Sequence, residues 1–326
     1  MAQLQSAVEF DQAQRRASVD AIEEIAKQWA STPPKDFDAW FARNVDRLVR
    51  TVEGGQTAAV RGADRYVGDA LDEQNIKAPK VAEPNPARLV GVTADGRTID
   101  GLLAQSVIGA RARIAEGMPA YQAWQAAGLE VRRVIQNEFA DAGRAATGVG
   151  ITSRLGVGYV RMLVPPSCSR CVILAGRYYH WSNGFRRHPG CNCKHIPSRE
   201  DRAGDKTTDP KAYFESLTEA EQRRAFTVAG AQAIRDGADI GQVVNARRGL
   251  TIAGGIVRDG VRLGARAQRT EEYGLTTTEG TTRRGHAGRR MRGAKPTPRL
   301  MPEAIYEIAA NRAEAIELLR KYGYIA

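Results

Sequence analysis

Apolar residues recur at helical spacing through most of the chain. From Ala7 to Ala30, Val8, Ala13, Ala17, Ala21, Ile22, Ile25, Ala26 and Trp29 fall near a 3.6-residue period, which predicts an amphipathic helix. Ser31, Thr32, Pro33 and Pro34 end it, because proline lacks the helix N–H and restricts the residue before it. A second helix is expected from Phe37 to about Leu71, carrying Trp40, Phe41, Val45, Leu48, Val49 and Val52, with Gly54 and Gly55 placed to interrupt it. The stretch from Lys77 to Pro86 holds three prolines and reads as a linker or extended crossing. Helical pattern returns from Gly101 to Ala146 through Leu102, Leu103, Val107, Ile108, Ile114, Ala120, Trp124, Val131, Ile135 and Phe139. Asp141 to Gly150 then becomes Gly-rich and small.

The period shifts at Val157. In GYVRMLVP, Tyr159, Arg161 and Leu163 alternate with Val160, Met162 and Val164, the mark of a strand, and Pro165 and Pro166 close it. Asp209 to Ile240 reads as helix again, with Thr218 and Glu221 at capping-box spacing. Residues 254–298, rich in Gly, Thr and Arg, read as a loop or extended arm. A last helix is expected from about Pro302 to Lys321, with proline in its first turn and Gly323 beyond its end. The expectation is a mainly helical α+β protein in three parts. These are a helical region at 1–150, a small Cys/His-rich irregular β knuckle at 151–200, and a C-terminal helical region at 201–326 with a basic arm at 254–298.

A chain of 326 residues exceeds one core of ordinary size, in keeping with several parts. No apolar run approaches 18 residues, and the opening MAQLQSAVEFDQAQRR lacks a signal-peptide core, so membrane spanning and Sec secretion are not expected. The net charge of +11 is uneven. Residues 151–200 hold 8 basic side chains against 1 acidic, and residues 251–300 hold 11 against 4, whereas residues 1–90 hold 12 against 14. Clustered arginines can meet nucleic acid through counterion release, or an acidic protein surface; a charge run can also be a plain solubilising face.

The chemistry sits in one block, PPSCSRCVILAGRYYHWSNGFRRHPGCNCKHIP. It contains all four cysteines, Cys168, Cys171, Cys191 and Cys193, and three of the four histidines, His180, His188 and His195. Packing does not require that crowding, but tetrahedral zinc does, and C-x-x-C is its usual first half. The second half, H-P-G-C-x-C, is tighter, so His188 stands as a substitute ligand for one of the last two cysteines. Pro165, Pro166, Pro189 and Pro197 stiffen the loops, and Tyr178, Tyr179, Trp181 and Phe185 supply a small core that a structural metal would complete. Reduced thiols packed as small hydrophobes, a local disulfide, and a redox or catalytic role are the competing readings.

Enzyme signatures are missing. The chain has no G-x-S-x-G, no H-E-x-x-H, no P-loop and no dinucleotide fingerprint. A Cys–His protease can be assembled on paper from Cys168 or Cys191 with His180 or His188, although nearness in sequence does not place side chains in contact. His286, in RRGHAGRR, reads as a solvated loop residue or a nucleic-acid contact.

The string VPPSCSRCVILAGRYYHWSNGFRRHPGCNCKHIP resembles the Cys/His block of phage head-morphogenesis proteins of the Mu F type, above all those of tailed phages of actinobacteria. FESLTEAEQRRAFTVAGAQAIRDGADIGQVVNARRG and RLMPEAIYEIAANRAEAIELLRKYGYI resemble the same group, and the likeness covers about residues 155–326. Cys168, Cys171, His188, Cys191 and Cys193 match the block. The resemblance implies a minor capsid protein acting in procapsid assembly, associated with portal, major capsid and scaffold proteins and with packaged double-stranded DNA. It would reside in the virion, inside the capsid or at the portal vertex, and in host cytoplasm during assembly. Some relatives carry the label capsid maturation protease, but no catalytic residue carries across. If the basic islands touch DNA, Arg186, Arg187, Arg283, Arg284, Arg289 and Arg290 are the phosphate contacts expected, without base specificity. A plain zinc-stabilised DNA-binding protein is the third reading.

Overall fold

The computed structural model describes residues 4–164, 167–184, 191, 193–206, 209–247 and 299–325, with the strands 256–258, 261–263, 267–270 and 274–277. Its contacts form two compact units, residues 1–166 with 175–208, and residues 167–174 with 209–326. As the hydrophobic spacing predicts, the protein is mainly helical with a few short strands.

The first unit contains α1 (Gln5–Gln28), α2 (Phe37–Val60), α3 (Ala63–Asp72), α4 (Ile99–Ala115) and α5 (Ala120–Thr152). Their apolar faces close on three tryptophans. Trp29 stacks on Trp124 with ring centroids 4.6 Å apart, and Trp40 meets both edge-on at 5.0 and 4.8 Å. Around them Leu48, Val52, Leu103, Ile135 and Phe139 are fully buried. Trp124 also donates from its indole nitrogen to Ala30 O at 2.6 Å, satisfying the one polar atom such a ring brings into a core.

Three helix boundaries differ from the sequence expectation, each for a steric reason. Helix α2 runs through Gly54 and Gly55 and ends before Gly62, whose φ of 74° suits glycine. The pattern from Gly101 to Ala146 is two helices, separated at Gly117 (φ 96°) and Pro119. Helix α5 also runs beyond Ala146, where the helical pattern was expected to stop, through the Gly-rich stretch to Thr152. Small residues there allow close helix approach, since a Cβ at Gly143 would stand 2.0 Å from the Gln14 side chain.

A three-stranded antiparallel sheet of order β2–β1–β3 completes this unit, from β1 (Gly158–Met162), β2 (Tyr178–Tyr179) and β3 (Lys194–Ser198). The register sets Gly158 opposite Ser198 and Arg161 opposite His195. All five residues of β1 are buried, because helices cover it. Met162, Val164 and Ile196 pack with Leu4, Ala7 and Tyr66, while Val157 and Tyr159 pack with Val67, Leu71 and Ile151. Polar anchors fix β3: Tyr66 OH donates to His195 O at 2.7 Å, and Gln74 Nε2 donates to Pro197 O at 2.8 Å.

The second unit consists of short helices: α6 (Ser169–Leu174), α7 (Pro210–Ser216), α8 (Glu219–Phe226), α9 (Val228–Arg235), α10 (Ile240–Ala246), and the terminal pair Pro302–Ile308 and Arg312–Lys321. The helical stretch expected at 209–240 is therefore divided, with Thr227 at φ 69° separating α8 from α9; the last helix is divided as well. The capping box at Thr218 and Glu221 forms as the spacing predicts. Within the segment expected to be a loop or arm, Ile256–Arg258 pairs with Val261–Leu263 and Ala267–Thr270 with Gly274–Thr277; the last of these also pairs with Arg299–Leu300, just beyond the arm, all antiparallel. Other positions of 254–298 lie outside the described residues. No helix among the described residues is long and apolar enough to cross a membrane.

Asp236 ties the terminal helices to α9. It accepts hydrogen bonds from Tyr306 OH at 2.6 Å and Arg312 Nε at 2.7 Å. Burial pushes its carboxyl up, but the bonds from Tyr306, Arg312 and Gln232 outweigh this and hold it below the ordinary value of 3.8. A depressed carboxylate stabilises the fold above its ordinary pKa and loses that contribution as pH falls through the depressed value. In urea unfolding, D236N should therefore cost about 1–3 kcal/mol at pH 7, and the gap from wild type should shrink below pH 4.

Gly54 and Gly55 make opposite predictions. A Cβ at Gly54 meets nothing within 4 Å, whereas one at Gly55 would stand 2.3 Å from the Phe139 ring. G54A should raise stability by up to about 1 kcal/mol through helix propensity. G55A should lower it by about 1–3 kcal/mol through overpacking, read from the same denaturant midpoints.

Candidate metal centre

Cys168 immediately precedes α6 and Cys171 lies within it. The turn is closed by backbone and sulfur together: Val172 N donates to Cys168 O at 3.1 Å, and Cys171 N donates to Cys168 Sγ at 3.4 Å. The two sulfurs are 3.4 Å apart, and no disulfide joins any of the four cysteines. A C-x-x-C turn of this kind presents two sulfurs on one side, which is what a tetrahedral ion requires of its first ligand pair.

Cys191 and Cys193 precede β3 and are 4% and 1% exposed. They bring two thiols into the interior of the first unit. Burying several thiols together is unfavourable for thiolates unless positive charge accompanies them. Of the residues singled out from sequence, Cys168 and Cys171 are brought together in the second unit, and Cys191 and Cys193 are buried in the first. His188, Arg186, Arg187, Arg283, Arg284, Arg289 and Arg290 lie outside the described residues, as do Phe185 and His286.

The aromatic residues of the block divide between core and surface. Tyr159 stacks on Tyr179 at 5.2 Å and on His195 at 4.0 Å, forming a ring wall across the sheet. His180 meets Tyr178 edge-on at 5.5 Å. Trp181 is 61% exposed, so it is not part of the small core expected from the sequence; apolar residues of the N-terminal helices occupy that role instead.

Two arginines were not foreseen as part of this centre. Arg144, on α5, is buried; its Nη1 donates to Cys191 O at 3.0 Å and Cys193 O at 3.1 Å, and its Nη2 pairs with Asp141. One guanidinium therefore holds both carbonyls of the C-x-C segment while a carboxylate one turn away balances its charge. Arg161, on β1, is 1% exposed and places Nη2 3.4 Å from Cys191 Sγ. The available signals were faint: one arginine in the otherwise apolar strand GYVRMLV, and another in the Gly/Ala-rich end of a helix.

Lys194 follows the C-x-C segment and is buried against α1, with Nζ 3.4 Å from Asp11 and a hydrogen bond to Gln14 Oε1. Burial pushes its ammonium down to about 8, a shift that Asp11 resists and Arg144 adds to. Arg144 also lines a cavity of about 370 Å³, with Glu138, Asp141, Tyr159, Trp181 and His195 among others.

Arg144 is the test of whether this loop is held in place. R144A should cost about 3–5 kcal/mol in urea unfolding, because it frees two carbonyls and leaves Asp141 buried without its cation. A cost below 1 kcal/mol would show that the C-x-C segment is positioned by other groups.

Residues 1–220 of the 326 match the VG15 protein family. No curated protein and no solved structure matches the chain. The family match spans the five helices and the sheet of the first unit, together with both cysteine pairs. The chain therefore belongs to the VG15 protein family and is a phage-associated protein.

Proposed function

We propose that this protein is a minor capsid, head-morphogenesis component of a tailed phage, of the Mu F type, acting in procapsid assembly near the portal. Its thiol centre holds a structural zinc ion, with Cys168 completing the set begun by Cys171, Cys191 and Cys193. The observation that carries the metal reading is the C-x-x-C turn, whose two sulfurs stand 3.4 Å apart, together with the two buried thiols of the C-x-C segment. These residues fit zinc, whose structural sites take four thiolate or imidazole ligands. Zinc bound by these cysteines would add folding free energy without opening a reactive position.

Membership of a phage family supports the assembly reading, as does the likeness of the Cys/His block to head-morphogenesis proteins. Portal, major capsid and scaffold proteins are the partners, with packaged double-stranded DNA contacting the basic islands. The protein resides in the virion, inside the capsid or at the portal vertex, after assembly in host cytoplasm.

Two measurements on the full chain, purified without a histidine tag, test this. Elemental analysis should return about one zinc per chain, with the thiols unreactive until a chelator removes it; no metal and four reactive thiols would overturn the zinc reading. Co-expression with the phage's capsid and scaffold proteins should place the chain in procapsids and leave its partners uncut. Discrete cleavage that C168A or C191A abolishes without unfolding would replace the assembly reading with a maturation protease.

A further inference from the structure

The cavity of about 370 Å³ that Arg144 lines lies wholly within the first unit. Part of its wall is one face of α5, where Glu138, Asp141, Ala145 and Gly148 follow at helical spacing. Small residues leave the space open there: a Cβ at Gly148 would meet nothing within 4 Å. Leu89, Val92, Thr93 and Ala94 supply another part, tied to the helix by a bond from Ala94 N to Glu138 Oε2 at 2.9 Å. The sheet adds Tyr159 and His195, stacked at 4.0 Å. Tyr159 OH donates to Asn183 O, which holds the turn that carries Trp181.

Two features of this lining specify a ligand. Trp181 lines the cavity yet is 61% exposed, so its ring offers a partner apolar surface that water now covers. The second feature is charge. Asp141 pairs with Arg144, Asp95 pairs with Arg97 at 2.7 Å, and Arg97 also feels the charge of Glu138. Three carboxylates thus stand against two guanidiniums, a surplus of one negative charge in a chain whose net charge is +11. Aromatic rings with surplus negative charge beside them favour a cation, and a flat, weakly hydrated guanidinium above a compact, strongly hydrated ammonium. Leu89, Val92 and Ala142 provide apolar surface for the stem of such a side chain. The exposed remainder of the Trp181 ring leaves surface for the chain on either side of it.

We propose that this cavity is a binding site for a guanidinium, the side chain of an arginine on a partner polypeptide, with Trp181 and Glu138 as its principal contacts. Trp181 supplies the aromatic face and Glu138 the charge, while the Asp141–Arg144 pair keeps α5 neutral behind them. The proposal does not depend on the zinc reading.

The test titrates the full chain by calorimetry with a blocked Gly-Gly-Arg-Gly-Gly peptide, and with its lysine and citrulline counterparts, citrulline being the uncharged isostere of arginine. The arginine peptide should bind, the lysine peptide more weakly, and the citrulline peptide about 10-fold more weakly or worse. W181A should weaken the arginine peptide about 3–30-fold, and W181F, which keeps a ring, should recover part of the loss. E138Q retains an oxygen for the Ala94 N–H, so it spares the loop while removing the charge. It should weaken binding about 10-fold and reduce its salt dependence. Each variant is checked for native far-UV circular dichroism; Trp181 is exposed, so its loss leaves the core intact. Acetyl-arginine amide, which lacks the flanking chain, should bind more weakly than the pentapeptide. Equal affinity would assign the site to a small guanidinium compound and overturn the polypeptide assignment. No binding of the arginine peptide at millimolar concentration, equal binding of the citrulline peptide, or undiminished binding by both W181A and E138Q would each overturn the guanidinium site itself.

Discussion

Helix α5 comes close to its neighbours where its side chains are smallest. Thirty-three residues long, it passes α1 at Gly143 with no room for a β-carbon, and it buries Phe139 against a bare position on α2. Close approach of this kind turns a set of amphipathic helices into one packed body, because dispersion contacts fall away steeply with separation. It also brings Arg144, one residue after Gly143, to where its guanidinium reaches two carbonyls of the C-x-C segment. Helix packing and the thiol centre are thus linked through adjacent residues of a single turn.

Most helices were legible in the sequence, because a 3.6-residue apolar period over twenty residues leaves little choice of secondary structure. The strand GYVRM was legible for the corresponding reason, with period two and flanking prolines. Where glycine was read as a breaker, the outcome depended on what surrounded it. Gly54 and Gly55 stay helical within the packed helix α2, Gly55 against the Phe139 ring, while Gly62 and Gly117 end helices because the chain there adopts positive φ. A single sequence does not distinguish these cases, since the deciding atom belongs to a residue far along the chain, as Phe139 does for Gly55.

The centre was legible in part. Spacing singled out the cysteines, because the type and number of ligands are properties of the residues themselves. The arginines behind them were not visible as members of the site, since burial of a charged side chain is decided by tertiary contacts. Trp181 shows the converse: an aromatic in a short, proline-stiffened block looks like core, yet the helices of the N-terminal region had already supplied enough apolar surface to cover the sheet.

The anchors of β3 join the ends of a long chain segment. Tyr66 reaches the carbonyl of a residue 129 positions later, Gln74 one 123 later, and Gln14 a lysine 180 later. A ribosome releases the N-terminal helices long before the strand they must receive. Until then their apolar surfaces for the sheet, including those of Leu4, Ala7, Tyr66 and Val67, lack their strand partners. High helix content ordinarily goes with fast folding through local contacts, whereas closing loops of more than a hundred residues carries an added entropic cost. Lys194 and His195, which directly follow the C-x-C segment, are therefore held by side chains that the ribosome released more than a hundred residues earlier.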